Sequence, residues 1–153
     1  MIRGSSATSG ITNAQQTSVV AAGTAYALTA TAAAVVFGTT SPTITLPAAG
    51  TYLIFARAKL DYAAATFAAV RTATLKLTRT NNTPADLTGS STGLATQILT
   101  ALTFTMPPAL IMVLYTTSNA NDAIALYGSL DVVPTAGNLN VTEASIVAIR
   151  LQQ

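Results

Sequence analysis

The chain has no cysteine, histidine or tryptophan among its 153 residues, and each absence removes a class of chemistry. Without cysteine there is neither a disulfide framework nor a thiolate metal site. Without histidine, imidazole ligation of zinc and imidazole catalysis are excluded. Tryptophan is absent, and the five Tyr and four Phe do not interleave with basic residues as a base-stacking platform requires. Charge is scarce too. Asp, Glu, Lys and Arg make up 8%, against about a quarter in ordinary soluble domains. The net charge of +2 is too small and too scattered to mark a nucleic-acid surface.

Long hydrophobic runs are missing as well, although half of the residues are apolar. A membrane-spanning helix needs about 20 consecutive apolar residues. The longest candidate, ALIMVLYTT over 109–117, is too short and follows Pro107-Pro108. The stretch MIRGSSATSG carries one Arg with no apolar run behind it, so no signal peptide is expected. The expectation is a single water-soluble domain with no membrane contact, whose charge-poor surface is covered in part by other subunits.

What the chain does have is alternation. Residues 1–24 are Gly, Ser, Thr, Asn and Gln with few large apolar groups, and read as an extended arm. The domain proper then runs over 25–153. TAYALTATAAAVVFG (24–38) reads as short strands, and PTITLP (42–47) alternates Thr with apolar residues between two prolines. TYLIFARAKLDY (51–62) is the longest strand. It sets Tyr52, Ile54, Ala56, Ala58, Leu60 and Tyr62 on one face, and Leu53, Phe55, Arg57, Lys59 and Asp61 on the other. VRTATLKLTRT (70–80) sets Ala73, Leu75 and Leu77 against Thr72, Thr74, Lys76 and Thr78. The turn-rich stretch 81–93 is the longest loop. Strands follow over 96–106 and over 109–117, the latter apolar on both faces and so expected to be covered on both. The strand 123–133 points Ile124, Leu126, Gly128, Leu130 and Val132 inward, and 141–151 closes the chain. Eight or more such segments with no convincing helix predict an all-β antiparallel sandwich of jelly-roll type.

The strand opening Gly50, Tyr52, Ile54, Ala56, with the closing strand Ile146-x-Ala148-x-Arg150-Leu151, resembles the C1q/TNF-like jelly rolls. More narrowly, the segments Asp61-Tyr62, 79–87, 127–137 and 143–151 are similar to the small trimeric jelly rolls of bacteriophage particles. Those serve as capsid decoration (cement) proteins, head fibres or fibre tips. The resemblance covers about residues 25–151 and departs from the calcium-binding members, since no acidic cluster stands at ligand spacing. It implies a homotrimer with one sheet of each sandwich packed about the threefold axis. It further implies a virion protein that is assembled in the host cytoplasm and partnered by the major capsid protein of a phage head.

The residues support the trimer on their own account, because Leu53 and Phe55 lie opposite the core set of their strand, a liability on a monomer. The expected interface comprises Leu53, Phe55, Arg57, Asp61, Tyr115, Ile149 and Leu151, with Arg57 and Asp61 paired across subunits. Read as a catalytic group, Arg57, Lys59 and Asp61 provide no nucleophile and no tuned acid–base pair. The arm is expected to order on a capsid lattice through Ile2, Arg3, Ile11, Asn13, Gln15 and Gln16, by strand addition rather than charge.

Other candidates are weaker. Arg79, Asn81, Asn82 and Asp86 suit a sugar or a cation, but Asx residues beside Pro and Gly are far more often turn chemistry. Gly89 to Gly93 lacks the Lys-Ser/Thr of a phosphate loop. Asp122, Asp131 and Glu143 stand singly, where calcium needs several oxygens in one short loop. The triplets at Asn81 and Asn140 match the glycosylation pattern, which a Thr-rich chain also produces by chance. No cofactor is expected. The two lysines, Lys59 and Lys76, have no nucleophile motif beside them, so the chain is not expected to be an enzyme. The competing expectation is a receptor- or glycan-binding fibre tip or C1q-like recognition head.

Overall fold

The alternation becomes twelve strands with no helix among the described residues, which in this computed structural model are 14–20 and 24–151. The strands are β1 (Ala14–Val20), β2 (Tyr26–Ala27), β3 (Ala33–Ala34), β4 (Thr43–Leu46), β5 (Gly50–Phe67) and β6 (Thr72–Arg79). They continue with β7 (Ala85–Asp86), β8 (Thr92–Ala95), β9 (Leu99–Thr105), β10 (Ala109–Thr117), β11 (Asp122–Leu130) and β12 (Ala136–Leu151). No helix of the described residues is long and apolar enough to cross a membrane.

Two six-stranded antiparallel sheets face each other. The first runs β1-β12-β5-β10, with β2 beside β12 and β9 beside β5. The second runs β3-β11-β6-β7, with β4 beside β11 and β8 beside β6. The inward residues of both are the core. Tyr52, Ile54, Ala56, Ala58, Leu60 and Tyr62 of β5 are all buried, and so are Ala73, Leu75 and Leu77 of β6. Gly128 leaves room for the Leu28 side chain: a methyl group there would come within 2.5 Å of a Leu28 methyl. Val132, expected inward, is exposed instead, because β11 ends at Leu130 and the backbone turns toward Thr72.

β5 is longer than its alternation announces, because it continues through AAATF to Phe67. Small alanines carry no face signal, so the pattern fades where the strand does not. In that extension the first sheet is irregular. Ala64 in β5, Ala101 in β9 and Gly137 in β12 all have positive φ, at 48°, 49° and 65°. The registers of β5 with both neighbours shift there. Extra residues on adjacent strands bend a sheet sharply. Gly137 is required at its position, since a side chain would collide with the carbonyl oxygens of Ala63 and Ala64.

The stretch 1–24, expected as one arm, is described in part. Residues 14–20 form β1, paired antiparallel with β12 of the same chain. Gln15 lies opposite Ala148 and Gln16 opposite Val147. Ile2, Arg3, Ile11 and Asn13 lie outside the described residues.

Candidate assembly interface

The outward face of the first sheet is where the strand chemistry departs from that of a finished surface. The register joins its side chains into rows across β10, β5 and β12. Leu114 stands opposite Leu53 and Leu53 opposite Ile149; below them, Met112 stands opposite Phe55 and Phe55 opposite Val147. The next row is Leu110, Arg57 and Ser145. Leu110, Met112 and Leu114 are 71%, 67% and 62% exposed, and Phe55 is 38% exposed. Leu53, Val147, Ile149 and Leu151 are half-buried. Between the rows lies an open depression of about 390 Å³ lined by Phe55, Arg57, Leu110, Met112, Ser145 and Val147. Contiguous aliphatic and aromatic side chains on a water-facing sheet mark an interaction surface.

Charge bounds the face on one side. Arg57 donates to the Glu143 carboxylate of the same chain, and Lys59 Nζ lies 4.0 Å from Asp61 Oδ2. Arg57 therefore has its carboxylate partner inside the chain, where the sequence reading pairs it with Asp61 of a neighbour. Six of the seven expected interface residues share this face: Leu53, Phe55, Arg57, Asp61, Ile149 and Leu151. Tyr115 does not. It shares the inward parity of Ile111 and Val113, and its hydroxyl reaches the buried Asp122. Leu110, Met112 and Leu114 are the residues the expected set omitted. Their signal was legible in the two-faced apolar pattern of 109–117, which assigns alternate residues to a cover outside the sandwich.

The Asn-rich loops at one end use their polar groups on the protein itself. Asp122 is fully buried and accepts from Thr117 Oγ1 at 2.5 Å, Asn82 Nδ2 at 2.9 Å and Tyr115 at 3.0 Å, with Arg79 Nη1 at 3.7 Å. Burial alone would raise this carboxyl, but those three hydrogen bonds and the Arg79 charge outweigh it and hold the pKa below the ordinary value. Burial, and donation to Asp122, push the Tyr115 hydroxyl up. Asn81 accepts from the Ala123 amide and donates to the Asn121 carbonyl, which makes it turn chemistry. Asp86 is held low by the hydrogen bond from Lys76, with Thr78 assisting against partial burial. Glu143 and Asp131 stand apart from these groups. Among the described residues no three acidic side chains are grouped as metal ligands.

Among known proteins, no family model and no curated sequence matches this chain. Solved structures do. The structure of Eiger TNF from S. frugiperda matches with a TM-score of 0.53 at 12% identity, covering 92% of each chain. The globular domain of zebrafish complement 1qA protein matches with a TM-score of 0.48 at 11% identity, covering 92% of this chain and 97% of that one. Likeness at this identity concerns the fold alone. The fold is the antiparallel jelly roll seen in that TNF structure.

Proposed function

We propose that this chain is a structural protein that works as a homotrimer through the outward face of its first sheet. We place it on a phage head as a decoration (cement) protein, bound to the major capsid protein from outside. The carrying observation is the exposed apolar face of Leu110, Met112, Leu114 and Phe55, four large side chains contiguous on one sheet. Three copies facing one axis remove that surface from solvent, at roughly 25 cal/mol for each Å² covered. Low charge and a sequence without histidine or cysteine favour a mechanical role over a chemical one. A trimer that binds only the assembled shell stabilises it by mass action, which opposes expansion of the head under internal pressure. The site of work is then the virion surface.

Two measurements test this reading in sequence. Light scattering of the isolated protein should give about three times the 15.5 kDa chain mass. A monomer defeats the assembly and with it the role. A cryo-EM map of the particle carrying the chain should then show trimers on the outer shell at local threefold positions. Density confined to a fibre tip would favour receptor or glycan binding in place of decoration.

A further inference from the structure

The free edge of β10 is built like an edge that pairs, yet no strand among the described residues pairs with it. Proteins usually blunt such edges with charge, bulges or shortness. β10 has nine residues, no charged side chain and no register irregularity against β5. Leu110, Met112 and Leu114 stand exposed along it. Its one guard is Pro107-Pro108, just before the strand begins.

The candidate occupant is set by where the chain enters the sheet. This step rests on the homotrimer reading, in which three copies of the sheet face one axis. Cyclic symmetry then brings the β1 side of one subunit beside the β10 side of the next. Ala14, where β1 starts, is level with Leu114 through Ile149 and Leu53. Thirteen residues of the sequence precede it, MIRGSSATSGITN. Straight on from Ala14 they would pass the level of Thr117 within three residues, so lining β10 requires a turn back. After that turn the remaining ten, at about 3.3 Å each, reach about 33 Å, against about 30 Å for the nine residues of β10. They contain no Pro and no acidic residue, and their one charge is Arg3. Such a segment gains affinity from main-chain hydrogen bonds, which a bare strand edge supplies.

We infer that residues 1–13 of one subunit add as a strand to the free edge of β10 in the next, so that strand exchange as well as apolar contact holds the trimer. This gives the segment a neighbouring copy as its partner in place of a capsid lattice.

Hydrogen exchange of the β10 amides, with light scattering on the same samples, tests this in the full-length chain. The variant is Ala7→Pro with Ser9→Pro, which removes two backbone donors outside the described sandwich. In the parent the outward amides of 109–117 should be protected. In the variant they should exchange roughly tenfold or more faster, with the trimer mass unchanged. Equal exchange in two trimeric proteins overturns the strand exchange and leaves the trimer standing. A monomeric parent overturns the trimer and the inference together. Whose segment it is follows from cysteine pairs, since the chain has none of its own. Leu114→Cys is combined in turn with Ser5→Cys, Ala7→Cys, Ser9→Cys and Ile11→Cys. Oxidation should give covalent dimers and trimers from at least one pair, and none from Leu114→Cys alone. If every pair yields monomer-sized chains, the exchange between subunits is wrong.

Discussion

The two sheets share one inward chemistry and differ outward. On the second sheet the outward rows read Thr43, Ala125 and Thr78, then Tyr127 with Lys76 and Ser129 with Thr74. Threonine there combines a β-branched carbon with a hydroxyl that water, or for Thr78 the Asp86 carboxylate, can satisfy, so the face is strand-forming and polar with little charge. On the first sheet the same outward register carries Leu114, Leu53 and Ile149, then Met112, Phe55 and Val147. Low charge is common to both faces and so cannot tell them apart. Large apolar side chains on the outward parity do.

The sharpest way to break this comparison is to make the two faces chemically alike. Leu110→Asp with Leu114→Asp should collapse the mass from about three chains to one by light scattering. Thr45→Asp with Thr74→Asp on the second sheet should leave the mass unchanged. An equal response from both faces would end the distinction between them.

The next effect lies between the faces, at the end where Asp122 is buried under Arg79, Tyr115, Thr117 and Asn82. Asp122→Ala leaves those donors and the Arg79 charge without their acceptor, and should cost about 3–5 kcal/mol in urea unfolding. Because the folded pKa of Asp122 is lowered from 3.8, the unfolded chain takes up the proton first as pH falls. Its stabilisation is therefore complete at neutral pH and declines below about pH 4, through the lowered folded value. Asp122→Asn should flatten that acid limb.

Gly137→Ala tests the bend of the first sheet. With φ at 65° and two carbonyl oxygens in the way, it should cost about 1–3 kcal/mol in the same assay. The smallest effect belongs to the wet face. The Lys76–Asp86 pair, at 2.6 Å with Asp86 53% exposed, should be worth at most about 1 kcal/mol by double-mutant cycle and fade with salt.

The sandwich was legible because period-2 alternation survives wherever large and polar residues share a strand, as in Tyr52–Tyr62 and Ala73–Leu77. It failed where alanine fills both parities, which hid the extension of β5 to Phe67, and it overran at Val132, where the backbone turns after Leu130. The apolar outward face of the first sheet was legible in Leu53 and Phe55. Tyr115 was misplaced because its ring is as apolar as an interface needs, while its partner, Asp122, comes from the next strand. The match of Asp122 to Arg79 and Asn82 spans about forty residues, and no local pattern encodes it.

The pairing of β5 with β12 carries a consequence for synthesis. The longest strand of the first sheet has β12 as its central neighbour, from Ala136 to Leu151, and β1 also pairs with β12. Neither strand has that partner until translation has passed residue 151. Until that point of synthesis the spine stays unzipped, and the contacts that close it are among the most distant in sequence. Such topologies fold slowly, over milliseconds to seconds. The outward face of the first sheet, with Leu114, Leu53 and Ile149 in one row, is likewise complete only after that closure.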